Sequence, residues 1–446
     1  MFSHADHPFL RSPHKTLVSL SFPVLVSYMA EPLTGFVDTA FINRLGAESL
    51  AALGVGTVAL SSLFWIFNFL GISTQTEVAQ AHGNDNRVRA MEITSLGIIL
   101  STVFGLIIIS IGLPSTSPIA SVLGADGPIQ TAAEEYMSIR WWGAPAVMVT
   151  MTGFGALRGL QDMRSALWIS LGINAINILL DAVLIFGAGP IPALGIGGAA
   201  IASVIAQWIG AVWVLFRVKK ILGWTFHIDL SEVRKLMVVG SDLFVRTGVL
   251  NVFSLLAVRK ATQLGADSGA ANQAMRQVWM FGTLVLDSYA VAGQSLVAYF
   301  FGAARIRDAR KVGEIVCFWG LASGVALAGI MWIGAGLVID LLVPHSAVSL
   351  FHSAWLIVVV VQPVNALAFS TDGIHWGTGD YRYLRNAVLL ATGIGALGLF
   401  LVPHSLNWVW MMTAIWIGVR ATMGMVRIWP GIGKSPLRFE SQKRGL

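Results

Sequence analysis

Leu45-Gly-Ala-Glu-Ser-Leu-Ala-Ala52 returns 219 residues later as Leu264-Gly-Ala-Asp-Ser-Gly-Ala-Ala271. At the same offset Gln75, Val78-Ala79 and Gly83 are echoed by Gln294, Val297-Ala298 and Gly302. A third anchor, Arg158-Gly-Leu-Gln-Asp-Met-Arg164, comes back as Trp376-Gly-Thr-Gly-Asp-Tyr-Arg382, shifted by 218. Three registers in one order mark an internal duplication. Apolar runs of about 20 residues, the length that crosses a bilayer, surround the anchors. They fall near 17–42, 50–81, 91–113, 131–155, 165–187 and 195–216, then near 235–259, 272–300, 312–334, 350–372, 384–402 and 407–429. Six per copy puts both copies in the same orientation, as parallel repeats about an axis along the membrane normal. The fold expected is an all-α integral membrane protein: twelve transmembrane helices in two parallel-repeat six-helix lobes, 1–216 and 235–446. A cytoplasmic linker, 217–234, joins them, and a basic tail closes the second lobe.

Composition agrees. Of the 446 residues 55% are hydrophobic and 12% charged, about half the charge of an average soluble domain. The net charge of +6 does not mark a nucleic-acid surface, because Lys and Arg occupy alternate loops. With the N-terminus inside, one side carries Arg11, Lys15, Arg87, Arg89, Arg158, Arg164, Arg217, Lys219, Lys220 and most of the later cations. The other side has only Arg44, Arg259 and Lys260. The positive-inside rule then makes both termini cytoplasmic in a plasma membrane. The polar first sixteen residues lack a cleavable signal pattern. Cys317, the single cysteine, allows no intramolecular disulfide.

Chemistry is sought where charge interrupts these spans, since a carboxylate at the centre of a membrane helix costs about 2.5 kcal/mol or more. In the first span Pro32-Leu-Thr-Gly-Phe-Val-Asp-Thr-Ala-Phe-Ile42 holds Asp38, with Glu31 two turns earlier and Pro32 beside it as a hinge. In the fifth span Asn174, Asn177 and Asp181 share one helical stripe, and Tyr136 and Ser203 add oxygens from neighbouring spans. The stripe suits a proton site, an oxygen cage for Na⁺, or polar glue between helices. The second lobe has Ala257 at the position of Asp38 and Leu296 at that of Glu77, so function is unequal between lobes. It carries instead Asp242 and Arg246 one turn apart, then Arg276 and Asp287, read as a gate or stiffening network. Met275, Trp279 and Met280, with Trp65 and Phe67, either line an adaptable apolar cavity or face lipid. Gly393-Ile-Gly-Ala-Leu-Gly398 and Gly195-Ile-Gly-Gly-Ala-Ala200 follow no strand, no Walker lysine is present, and the nine histidines lack ligand spacing. Neither an enzyme nor a cofactor is indicated, and an ion gradient is the simplest energy source.

The run from Pro32 to Ile42, Leu45-Gly-Ala, Arg158-Gly-Leu-Gln-Asp162, Asp181 and Gly197-Gly-Ala-Ala-Ile-Ala202 resemble the multidrug and toxin extrusion (MATE) family. Asp242-Leu-Phe-Val-Arg246-Thr and Ala270-Ala-Asn272-Gln look like its DNA-damage-inducible DinF branch. The resemblance implies a V-shaped pair of lobes exporting cationic or amphipathic compounds in exchange for H⁺ or Na⁺, as a monomer in the bacterial inner membrane. It implies Asp38 as the central coupling residue, supported by Tyr136, Asn177 and Asp181, with Na⁺ held by Asp38, Asn177 and Asp181 if Na⁺ is the ion. Glu31, where relatives often carry an uncharged polar residue, adds a second titrating group or a cation contact. Ser203 keeps the hydroxyl of a common threonine. Three other functions compete: a flippase for lipid-linked substrates, which wants a basic cavity; an exporter of organic anions, which would use Arg246 or Arg276; and a non-transporting receptor or scaffold.

Overall fold

A hydrocarbon environment leaves the backbone no water to bond, so each crossing segment has to satisfy its own N–H and C=O groups as a helix. The computed structural model describes residues 7–226, 230–401 and 405–438; the middle of the expected linker, 227–229, and the end of the basic tail lie outside the described residues. The first helices are α1 (Pro8–Arg11), α2 (Pro13–Asn43), α3 (Ala47–Ile66), α4 (Phe69–Gly83), α5 (Arg87–Val122), α6 (Gly127–Arg140), α7 (Ala144–Gly159), α8 (Met163–Phe186) and α9 (Gly195–Leu222). There follow α10 (Leu230–Gln263), α11 (Ala266–Gly302), α12 (Ile306–Ile333), α13 (Ala335–Leu342), α14 (Val348–Val360), α15 (Gln362–Thr378), α16 (Tyr381–Leu401) and α17 (Leu406–Ile428). No strand occurs among the described residues, only an isolated bridge between Ala188 and Ile191.

Among the described residues ten spans are long and apolar enough to cross a membrane, α3 and α4 together making one of them, and the pair α14–α15, bent by 45°, makes an eleventh. The twelfth expected span, 131–155, is the pair α6–α7, interrupted by a 3-10 turn at Trp141–Gly143. Its first half carries Glu134, Glu135 and Arg140, which is why its composition alone does not mark it as a span.

The chain divides into two compact units, residues 26–236 and residues 1–25 with 237–446. Helix α2 thus contributes to the one through Leu25 and to the other from Val26 onward. Inside each unit the repeat is visible as matched packing. A methyl group on Gly155 of α7 would stand 2.3 Å from the Gly71 carbonyl oxygen of α4, and one on Gly373 of α15 would stand 2.3 Å from the Ala290 carbonyl oxygen of α11. One turn on, Gly159 abuts Gln75 and Val78, as Gly377 abuts Gln294 and Val297. Small residues let membrane helices approach backbone to backbone. The turns repeat too: φ is +115° at both Gly46 and Gly265, +51° at Asp85 against +56° at Ala304, and +62° at Gln161 against +75° at Gly379.

Because the atoms facing Gly373 are backbone, they cannot rotate away. Gly373→Ala is expected to destabilise the protein by about 1–3 kcal/mol, the cost of overpacking a close-packed interface. The check is a lowered thermal midpoint in detergent, with Gly393→Ala, where nothing lies within 4 Å of the added carbon, as the control.

The turn between α7 and α8 and its counterpart between α15 and α16 also share a device. Asp162 caps α8 through the Ser165 amide (3.1 Å) and pairs with Arg217 of α9 (2.8 Å). In the second unit Asp380 pairs with Arg427 of α17 (2.8 Å). Burial works to raise the Asp162 carboxyl, but the Ser165 and Arg217 contacts outweigh it and leave the group below the ordinary carboxylate range.

Candidate functional site

Short loops bring the Asn43 end of α2, the Gly127 end of α6, the Phe186 end of α8 and the Gly195 end of α9 to one face of residues 26–236. Depth from that face then follows from the helical rise. Asp38 and Asp181 each lie five residues inside their helix ends, about 8 Å deep. Tyr136 and Asn177 lie nine residues in and Ser203 eight, about 12–14 Å. Glu31, Asn174 and Gln207 lie twelve in and Arg140 thirteen, about 18–20 Å. Polar residues from four helices therefore form three layers in an otherwise apolar unit.

The outer layer is a carboxyl pair. The Asp38 and Asp181 carboxyls are close enough to interact; Asp181 is fully buried and Asp38 half-buried. No protein donor reaches Oδ1 of Asp38 or either oxygen of Asp181. Ionised carboxylates only accept hydrogen bonds, so two of them meet favourably only around a shared proton or a cation. In the middle layer Asn177 donates to Ser203 Oγ (3.4 Å), and the buried Tyr136 ring fills the space left by Gly56 of α3. In the deep layer Asn174 is turned back to the Ser170 carbonyl (2.8 Å), away from the oxygens above it. Arg140, which its location in a span should have flagged, donates to Gln207 Oε1 (2.9 Å). It acts electrostatically on Glu31, Asp38 and Asp181 together. Glu31 itself is solvent-accessible. Pro32 is accommodated within the unbroken helix α2, and Thr34 Oγ1 bonds the Ala30 carbonyl beside it (3.0 Å).

The remaining candidates lie elsewhere. Asp242 and Arg246 do not pair along their helix. Asp242 bonds Arg385 of α16 (2.5 Å), while Arg246 pairs with Asp372 of α15, which also accepts from Arg420 of α17 (2.8 Å). All members except Arg385 are buried, and Arg246 and Arg420 lie over the rings of Trp376 and Trp416. Asp372 and Arg420, missed from sequence, each stand in or at the edge of an expected span. Arg276 bonds Ser254 (3.0 Å) and Asp287 is half-buried. Met275 is fully buried in the core with Ala271, Met331, Phe351 and Trp355, because its face of α11 meets other helices. Trp279 packs on Trp410 with ring centroids 5.2 Å apart, whereas Trp65 and Met280 are exposed. Glu77 pairs with Lys235 (2.9 Å).

A duplicated set of membrane spans, with carboxylates held inside one half, is the architecture of a multi-pass membrane transporter. The MatE family model matches the chain twice, over residues 23–183 and 244–403. Protein DETOXIFICATION 44, chloroplastic, of Arabidopsis thaliana is 29% identical over 440 residues, covering 95% of this chain and 82% of the relative. DNA damage-inducible protein F of Escherichia coli (strain K12) is 28% identical over 446 residues, covering 94% and 93%. Among solved structures, MATE in the bent conformation superposes with a TM-score of 0.86 at 21% identity, covering 95% of this chain and 96% of that one. A MOP superfamily transporter from Pyrococcus furiosus gives 0.85 at 21%, covering 95% and 96%. The chain belongs to the MATE family of multidrug and toxin efflux transporters.

Proposed function

We propose that this protein is a secondary antiporter of the bacterial plasma membrane, with both termini cytoplasmic, which exports cationic or amphipathic compounds in exchange for H⁺ or Na⁺. The observation that carries the reading is the Asp38–Asp181 pair, in which Oδ1 of Asp38 and both oxygens of Asp181 are buried without a protein donor. An ion arriving from outside is shared by the pair and lowers its charge from two negative to one; with Na⁺, the oxygens of Asn177 and Ser203 complete its shell. The loaded pair favours one conformation of the N-terminal lobe and releases the cationic substrate. Loss of the ion to the inside restores the negative charge that attracts the next one. Such coupling requires the ion to bind the two conformations unequally. Pro32 supplies the bending point, and MATE structures have been solved in both a bent and a straight conformation.

Cationic-dye transport in proteoliposomes, with pH and Na⁺ gradients imposed separately, tests the proposal. Transport driven by one of the two gradients is expected; transport driven by neither overturns ion coupling. A second reading, export of an organic anion, draws on Arg246 and Arg420 sharing the single carboxylate of Asp372. It would be favoured if anionic rather than cationic probes moved under the same gradients.

A further inference from the structure

The carboxyl pair does not stand alone. With all groups ionised, Glu31, Asp38 and Asp181 place three negative charges in these layers, and Arg140 is the cation that shares them, at the depth of Glu31. An exchange site has to release its ion as well as take it up. Carboxylates clustered in this way would hold a proton or Na⁺ too tightly to let go, since nearby like charge strongly disfavours ionisation. A fixed guanidinium lowers that grip, and it stays charged at any working pH.

Arg140 is placed for that task. It ends α6 at the point where the span breaks into the Trp141–Gly143 turn. Helix α9 pins this turn: Trp208 donates to the Trp142 carbonyl (3.0 Å), and Gln207 lies so close to Gly143 that a methyl group there would sit 2.3 Å from its Oε1. Gln207 also accepts from one terminal nitrogen of Arg140 (2.9 Å), while the buried Nε has no partner. The backbone is thus held and the hydrogen-bonding capacity is not exhausted. Arg44, just after α2, lies over the Phe186 ring at the outer end of α8 (5.9 Å to the centroid); the other charges on the surrounding helices are remote or already engaged. Glu48 of α3 is exposed at the outer end, and Glu134 accepts from Gln130 (2.8 Å). Glu135 lies beside Gly197, and Arg87, Arg89 and Glu92 of α5 and Arg217, Lys219 and Lys220 of α9 lie at the opposite ends of their helices. On α2 and α8 the facing groups are Glu31, Asp38 and Asp181 themselves.

We propose that Arg140 is the resident counter-charge of the exchange site, compensating the Asp38–Asp181 pair when it is empty and yielding to the coupling ion when it is loaded, with Gln207 and Glu31 taking up the guanidinium in that state. This deepens the antiport reading and rests on it. Arg140 is a positioning residue: it sets how firmly the pair holds its ion, without carrying the ion itself.

The test is the pH profile of cationic-dye transport in proteoliposomes for wild type, Arg140→Gln, Arg140→Lys and Asp38→Asn. Removing a unit charge about 10 Å from the pair at an effective dielectric of about 20 changes proton affinity roughly tenfold. The midpoint of Arg140→Gln is therefore expected to lie about one pH unit above wild type, with Arg140→Lys restoring it. A coupled pair titrates as one unit, so this midpoint belongs to the pair as a whole. If Arg140→Gln does not fold, Gln207→Glu carries the test, because a carboxylate on the guanidinium weakens its field and moves the midpoint the same way. An unchanged midpoint in the folded variant, beside an Asp38→Asn that has lost its pH dependence, overturns the role of Arg140 and leaves the antiport reading standing. If Asp38→Asn keeps the wild-type profile, the antiport reading itself fails.

Discussion

Asp38→Asn is expected to reduce gradient-driven dye transport to the level of passive leak while the protein still folds and inserts. Asparagine keeps the size of the side chain and its capacity for hydrogen bonding, but it can neither take up a proton nor present a charge. Without that charge the outer layer loses the term that makes one conformation prefer the loaded site. Carrying a two-state protein from about 1:99 to 99:1 takes a roughly 10⁴-fold difference in affinity between the states. Loss of one of two carboxylates removes most of it. A fall of at least about 100-fold in the coupled rate follows, half of that free-energy difference. The measurement is initial dye flux under an imposed gradient, with protein in the membrane quantified. Asp181→Asn is expected to behave alike, since the two oxygens it replaces have no other partner.

The second large effect concerns stability. Asp372 accepts from both Arg246 and Arg420 with all three side chains buried. Asp372→Ala would leave two guanidiniums facing each other without an anion. Removing one partner of a buried ion pair costs about 3–5 kcal/mol. A large drop in the thermal midpoint of the detergent-solubilised protein is therefore expected. Replacing all three by apolar residues should recover much of the loss, because the desolvation penalty then disappears with the charges. Asp242→Ala is expected to cost less, since its partner Arg385 has a side chain 30% exposed and water can take over.

The duplication and the helical spans were legible in the sequence because hydrocarbon leaves the backbone few options, and because the same turns and glycines had to be kept twice. Asp38 was legible by contrast with Ala257, its counterpart in the second copy. What remained hidden depended on partners distant in sequence. Asp242 and Arg246 stand one turn apart, a spacing that suggests a local pair, yet each bonds a residue more than 100 positions away. Arg140 was obscured by Glu134 and Glu135, which make it one of several charges at one end of the span, and by the break at Trp141–Gly143. Met275 sits on a helix apolar on several sides, where periodicity does not tell which face meets the core. The meeting of Asp38 with Asp181 needed the packing of α2 against α8, which no spacing within either helix reveals.

The central claim is that substrate and coupling ion compete for one carboxyl pair. It is tested most directly by adding a cationic substrate to the purified protein in weakly buffered solution and recording the H⁺ and Na⁺ released, for wild type and for Asp38→Asn. Release of one of these ions is expected on binding to wild type, and none from the variant. Saturable binding to wild type without displacement of either ion would contradict it.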